Sequence, residues 1–494
     1  MGGPVDAPRK PSYVFDRDVE WSSLRQFITS SDPDVRLGIV SGRRRQGKTF
    51  LLRALAEATQ GFYFTATETT STNALREFAA ALAEHTRSGI AYRLDTWEDA
   101  LRAVYQAVPQ GLIVIDEFPY LVAAEPALPS LLQRALDPGG WIRSTSTAKL
   151  LLCGSAMAVM GKLLAGSAPL RGRAGMELLI RPFDYRAAAQ FWGLEDTRLA
   201  ILVNAIVGGT PAYRHAFVRG DTPASIEDFD AWVLRTVLNP DSPLFREARY
   251  LLSEEIGIRE PAVYNSVLGA IAAGKTTRGA IATYVGRKDS DLAHTLNVLE
   301  DSGLIRRDVD PFHARKSVFR VVEPLIVFYE SVMRRAWTPL EQHRSAAVWA
   351  DAQARFRSQV VGPHFEALCR EHIAQSGDQL FGGLVGDIAA GTMSDPAQRN
   401  QIELDVVALA PGLPGEHRTI LCLGEAKWNV RMGIGHINRL RRAREVLAAK
   451  GFDTSSTALI CYSGAGFSDE LRAAAASAPA SIMLIDPHQM YSAD

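Results

Sequence analysis

Three apolar runs without polar alternation mark the first third of the chain: Leu37-Gly38-Ile39-Val40, Gly111-Leu112-Ile113-Val114-Ile115 and Leu150-Leu151-Leu152-Cys153. Such runs suit strands buried on both faces of a parallel sheet. Phe62-Tyr63-Phe64-Thr65 reads as one more strand. Apolar residues recur at helical spacing over 73–84 and 96–106, and an amphipathic helix opens in Phe15–Leu24. Residues 1–12, rich in Pro, Gly and charge, read as a mobile arm. Gly208-Gly209-Thr210-Pro211-Ala212-Tyr213 interrupts a helical region. Three short helical patterns follow at 264–273, 276–285 and 290–302, the last stopped at Gly303. Ile305–Val309 and Ser317–Val321 then pattern as two strands, and three helices with a hairpin predict a winged helix-turn-helix.

The last third has its own pattern. Residues 354–374 form a helix with Val361, Phe365, Leu368 and His372 on one face and Glu366 beside it. Ile402–Leu409 and Thr419–Trp428 are strands of a hairpin around the turn cluster Pro411–Gly415. A helix over 436–449, then strands Ser456–Ser463 and Ser481–Asp486 flanking a helix, complete a second α/β core.

Length and composition add limits. At about 100–200 residues per domain, 494 residues make about three or four domains. Apolar content of 47% and charged content of 22% are those of an ordinary globular protein. A formal net charge of −1 gives no global attraction to a polyanion, so a nucleic-acid site must be a local patch. Cys153, Cys369, Cys422 and Cys461 form no CxxC pair and read as small buried hydrophobes in a reducing compartment. No apolar segment is long enough to span a membrane and no signal-peptide core opens the chain, so the expected location is cytoplasmic with no membrane partner.

The chemistry starts at Gly42-Arg43-Arg44-Arg45-Gln46-Gly47-Lys48-Thr49, set between the first strand and the helical pattern beginning at Phe50. Strand, glycine-rich loop and helix are the context of a phosphate-binding loop. Gly42 and Gly47 let successive N–H groups turn toward one anion, and the helix adds its positive end. Lys48 can reach β- and γ-phosphates, and the Thr49 hydroxyl can hold Mg²⁺. The third strand ends in Asp116 and Glu117, at the edge where parallel sheets bind ligands. Asp116 would support the metal ion, and Glu117 would orient the attacking water. Ser155, after the fourth strand, is placed to sense the γ-phosphate, and Arg171 and Arg173 are alternative guanidinium groups for the transferring phosphoryl.

The set GRRRQGKTFLL, IDEFPYL, CGS, PLRGR and GGTPAY resembles the archaeal-type P-loop ATPases, relatives of the AAA+-like signalling NTPases, over about residues 13–250. The resemblance implies ATP as nucleotide, a five-stranded core, a small helical lid and a nucleotide-driven switch. Lys48, Asp116, Glu117, Ser155 and Arg173 carry over by position, whereas the family often has an aromatic residue where Arg171 stands. The family usually continues into a winged helix and a Glu-Pro or Asp-Pro element like Glu323-Pro324. That winged helix has two readings. Its third helical pattern carries Lys288, His294 and Asn297 for DNA, but also Asp289 and Asp291, which repel phosphate and favour a structural connector.

Alternation puts Glu425 and Lys427 on one strand face, with Asp405 on the partner strand. Two carboxylates and a lysine in a core need a cation, and a hard ion such as Mg²⁺ suits them. A metal held by Asp405 and Glu425 could activate water against a phosphodiester, with Lys427 steering the nucleophile. A helix, then D, then ExK resembles the PD-(D/E)xK nucleases near the Mrr-like restriction branch, over about residues 345–494. The match assigns Glu366, Asp405, Glu425 and Lys427 as the active-site set, although Leu404 stands where the motif name has proline. Arg431, Arg439, Arg441, Arg442 and Arg444 suit a polyanion backbone or a solvated helix face.

The expected architecture is α/β multidomain. A P-loop AAA+-like parallel-sheet ATPase core covers 13–180, a helical lid 181–255, a winged helix-turn-helix 256–345, and a restriction-endonuclease-like α/β domain 346–494. The expected function is an ATP-binding and ATP-hydrolysing switch controlling an Mg²⁺-dependent nuclease on DNA, with Phe50 beside the nucleotide and a homo-oligomer as an open possibility. The alternative is an ATP-dependent regulatory protein whose C-terminal domain binds nucleic acid or a protein without cutting.

Overall fold

The structure is a computed structural model that describes residues 7–89, 92–166, 168–253, 261–413 and 418–492. The chain divides into two compact units, one covering the chain up to Pro182 and the other most of the chain beyond it.

The first unit is built on β1 (Leu37–Ser41), β2 (Phe62–Thr65), β3 (Leu112–Asp116), β4 (Lys149–Gly154) and β5 (Ala174–Leu179), in the order β2-β3-β4-β1-β5. Every neighbouring pair is parallel. β1, β3 and β4 are buried almost throughout, which accounts for their unbroken apolar sequence. Helices cover both faces. Phe78, Leu82, Trp97 and Leu101 pack with Phe62, Ile113 and Leu150 on one side. Trp21, Leu24, Leu52 and Leu55 pack with Val40, Val114 and Leu151 on the other. The mobile-arm reading fails from Pro8 onward, because Pro8 is buried and its carbonyl accepts a hydrogen bond from Trp21 Nε1 at 3.0 Å. Lys10 adds a 2.7 Å ion pair to Asp18. Residues 1–6 of that arm lie outside the described residues.

The second unit begins with helices Tyr185–Trp192, Thr197–Val207, Phe229–Arg235 and Pro243–Ser253. The expected lid end at Glu255 lies outside the described residues. Helices Pro261–Ala272, Arg278–Val285 and Leu292–Asp301 follow, then the antiparallel pair β6 (Ile305–Asp310) and β7 (His313–Val321).

A mixed sheet closes the chain: β8 (Ile388–Asp395), β9 (Asn400–Leu409), β10 (Ile420–Lys427), β11 (Ala458–Ser463) and β12 (Ile482–Ile485), in the order β12-β11-β10-β9-β8. β8, β9 and β10 run antiparallel, and β10, β11 and β12 parallel. Helix Gly362–Phe381 packs Phe365, Leu368 and Ile373 on one face, over Val406, Cys422 and Ile460. Helix Ile434–Ala449 packs Ile437, Leu440 and Leu447 on the other, over Val407, Leu423 and Leu459. Tyr185 and Trp232 share the first of these cores, and Tyr185 Oη donates to the Met490 carbonyl at 2.7 Å.

Two sequence expectations change here. The helix read over 354–374 takes in the end of helix Ser345–Arg355, a π-helical turn at Phe356–Val361 and the start of helix Gly362–Phe381, whose first turn carries Pro363. β8 has no counterpart in the sequence reading; its Ala, Gly and Asp content hides the strand pattern. Pro414 and Gly415 of the turn cluster lie outside the described residues. All four cysteines are free and buried.

Candidate functional site

The first cluster sits where β1, β3 and β4 end side by side. Gly42 has φ +152°, and a Cβ there would lie 2.4 Å from the Ile180 carbonyl oxygen, so the turn out of β1 admits only glycine. Arg45 and Gly47 also take positive φ, curling the loop into helix Lys48–Thr59. Lys48 is 4% exposed, and its Nζ donates to the Arg43 carbonyl at 2.8 Å, back across the loop. Burial pulls its pKa down. Arg44 Nη2 donates to Tyr120 Oη at 2.9 Å, and Gln46 is buried.

Asp116 is fully buried, and its Oδ2 accepts from Thr49 Oγ1 and from Tyr63 Oη, each at 2.7 Å. Burial and then the Asp116 charge push the Tyr63 phenol well above its ordinary range, so it remains a donor. Glu117 has φ +53°, a strained backbone for a non-glycine residue. Its Oε2 accepts from Ser155 Oγ at 2.9 Å and from the Ser155 N–H at 3.3 Å. Phe50 is half exposed and meets Tyr13 edge-on with ring centroids 5.8 Å apart. Arg173 is held elsewhere: its Nε donates to Asp137 at 2.7 Å, and its Nη1 to the carbonyls of Pro169 and Arg171. Arg171 donates to the Gly166 carbonyl at 2.6 Å.

Two members of this cluster escape a reading from motifs. Tyr63 occupies a half-buried position of the four-residue strand β2. Arg17, 7% exposed, pairs with Glu20 at 2.9 Å and reaches the Gln46 carbonyl at 3.3 Å, tying the loop to the preceding helix. Nothing in the local sequence of Arg17 signals that reach.

The second cluster lies on the mixed sheet. β9 carries an extra residue: Ala389 pairs with Val407 and Gly391 with Leu404, so Asp405 and Val406 together face Ala390. Such a bulge re-aims a side chain. Asp405 Oδ2 accepts from the Ala426 N–H at 2.9 Å and from Lys427 Nζ at 3.2 Å. Glu425 is 1% exposed; its Oε1 lies 2.6 Å from Arg439 Nη2 and 3.5 Å from Lys427 Nζ. Its Oε2 is buried with no hydrogen-bond partner. Burial opposes it, but Asp405 and Glu425 raise the Lys427 pKa and keep the ammonium charged. On helix Gly362–Phe381, burial and then Asp405 push the Glu366 carboxyl up to about 6. Arg370, from the same helix, donates to the Asp405 carbonyl at 2.6 Å, and burial pulls its guanidinium down to about 10.

Glu366, Asp405, Glu425 and Lys427 are thus brought into one electrostatic neighbourhood. Among the described residues, no three His, Cys, Asp or Glu side chains stand close enough to hold a metal ion by themselves. The arginines of the basic stretch divide by partner. Arg442 makes two 2.8 Å bonds to buried Asp395 and is structural, Arg431 meets Asp469, and Arg441 bonds Asn438. Only Arg439 among these reaches the carboxylate cluster.

The β6–β7 hairpin is tied down within its own unit. Asp310 accepts from the Phe312 N–H and, from β8, the Thr392 N–H at 3.2 Å, and Phe312 meets Phe452 edge-on at 5.7 Å. Lys288 precedes the third helix rather than lying on it, and Arg307 occupies Asn297 and Glu300.

No helix among the described residues is long and apolar enough to cross a membrane. A structure titled as the Walker-type ATPase of Pyrococcus abyssi aligns with a TM-score of 0.51 at 20% identity, covering 65% of this chain and 98% of that one. That likeness supports the fold. An uncharacterized protein of Methanocaldococcus jannaschii is 29% identical over 318 residues, 64% of this chain and 67% of its own length. Residues 14–198 match the family described as "ATPase domain predominantly from Archaea", and so carry an ATPase domain of the archaeal type.

Proposed function

We propose that the protein is an ATP-hydrolysing switch whose nucleotide state controls a metal-dependent nuclease acting on DNA. The ATPase half rests on the matched domain and on a phosphate loop whose lysine and threonine sit beside two carboxylates. Lys48 would leave the Arg43 carbonyl for the β- and γ-phosphates. Thr49 and Asp116, already hydrogen-bonded, fit a Mg²⁺ ion, which supplies charge neutralisation between the phosphates. Ser155 holds Glu117, which would orient the attacking water. Arg173 can serve the transferring phosphoryl only once its pair with Asp137 opens. Phe50 and Tyr13 offer an exposed aromatic pair for an adenine face.

The nuclease half is carried by one observation: buried, unpartnered Glu425 Oε2 beside Asp405 and Lys427. A buried carboxylate oxygen without a donor is costly unless a cation takes it. Asp405 and Glu425 fit Mg²⁺, which binds through one or two carboxylates, completes its shell with water and substrate phosphate, and supplies an activated water. Lys427 would hold charge developing on the attacked phosphate, and Glu366 would orient water. Three helices and a hairpin support the winged-helix reading, and the hairpin docked on β8 favours a connector over a DNA reader.

A second reading, a regulatory domain with the nuclease fold and no cleavage, draws support from Arg439 on Glu425 and from the absence of three clustered acidic ligands among the described residues. Cleavage decides between them. Purified protein should cut DNA with Mg²⁺ or Mn²⁺, and Lys427→Ala should bind DNA without cutting. Equal inertness of both in ATP, in ADP and without nucleotide would reject the nuclease.

A further inference from the structure

Glu425 Oε1 is held by two protein cations, Arg439 at 2.6 Å and Lys427 at 3.5 Å, while its Oε2 is buried and unpartnered. The two cations differ. Lys427 belongs to the strand and also bonds Asp405 Oδ2. Arg439 comes from the surface of helix Ile434–Ala449, with its side chain 46% exposed. It is therefore the partner that can leave. A guanidinium is also the group best matched to a phosphate in fork geometry.

We propose that Arg439 occupies Glu425 in place of a metal ion, and that a phosphodiester backbone draws it away so that metal loads only with substrate. This rests on the metal-site reading above. With Arg439 on Oε1, a dication approaching Asp405 and Glu425 meets two positive charges. Once Arg439 turns to a phosphate, one of those charges leaves, Oε1 is freed beside Oε2, and the same phosphate can enter the shell. The coupling is reciprocal: metal held by Glu425 releases Arg439 for the backbone and tightens DNA binding. Arg439 is a positioning residue in this scheme, acting through Glu425.

The test is Mn²⁺ binding to the full chain without nucleotide, followed by electron paramagnetic resonance, with and without duplex DNA. Glu425→Gln supplies the background. Wild type should bind Mn²⁺ weakly at this site, and duplex DNA should tighten it; a duplex with an uncharged methylphosphonate backbone should not. Arg439→Gln should bind about tenfold more tightly without DNA, and gain little when DNA is added. Arg439→Lys keeps the charge and should stay near wild type without DNA. If Arg439→Gln binds Mn²⁺ no better than wild type while Glu425→Gln binds less, the Arg439 proposal is overturned and the metal site stands. If Glu425→Gln matches wild type under every condition, the metal site itself is absent and both readings fall.

Discussion

Asp116 Oδ2 receives two hydroxyls, from Thr49 and Tyr63, and they differ in consequence. In the proposed ATPase cycle Thr49 would turn to a metal ion, whereas Tyr63 would keep holding the carboxylate. Tyr63→Phe removes that hold without changing shape, so ATP turnover should fall about tenfold with little change in KM. Unchanged kcat would deny Tyr63 a positioning role. Lys48→Ala should abolish nucleotide binding, measured by titration with a fluorescent ATP analogue. A different residue sets a pH dependence. Burial, then the Asp184 charge, push the Glu371 carboxyl up to about 7 from an ordinary 4.5. A raised acid holds its proton in the folded state after the unfolded chain has lost it. Its contribution is complete below about pH 4.5 and is lost as pH rises toward 7. Glu371→Gln should therefore leave stability near pH 4 unchanged and raise it by about 1–2 kcal/mol at pH 8, discounted for partial exposure, by chemical denaturation. At this scale the sequence singled out Lys48, Thr49, Asp116 and Glu117 by type and spacing, and the fold brings them to one end of the sheet. The sequence concealed Tyr63, Arg17 and the pairing of Ser155 with Glu117, because those contacts depend on which strands become neighbours.

Among elements, the loop after β1 and the bulge in β9 place the two clusters. Gly42→Ala would force a Cβ to 2.4 Å from the Ile180 carbonyl in a backbone region L residues avoid. It should cost about 2–4 kcal/mol, seen as a lower denaturation midpoint, and weaken nucleotide binding. A midpoint equal to wild type would show that β5 yields at Ile180. The unbroken apolar runs made β1, β3 and β4 legible, since burial on both faces leaves no alternation to misread. β8 was not legible: its two Ala residues, Gly and Asp carry little strand preference, and pairing with β9 sets its conformation. Missing β8 also hid the bulge, and with it the reason Asp405 leaves the ordinary alternation of its strand. The β6–β7 hairpin shows the same limit. Its strands patterned clearly, yet docking through Asp310 on Thr392 is a tertiary fact. Asp310→Ala should cost about 1–2 kcal/mol and speed amide exchange at Thr392.

At the scale of the whole molecule, an archaeal-type ATPase domain and a mixed sheet bearing a carboxylate–lysine cluster lie on one chain. Their covalent union carries the proposal that nucleotide state governs phosphodiester cleavage. The direct measurement is the rate at which one preparation cuts duplex DNA with Mn²⁺ in ATP, in ADP and without nucleotide, beside Lys427→Ala and Lys48→Ala. The wild-type rate should differ by at least about tenfold between nucleotide states, Lys48→Ala should cut at a nucleotide-insensitive rate, and Lys427→Ala should not cut. A wild-type rate equal in all three states, or cleavage that survives Lys427→Ala, would contradict the proposal.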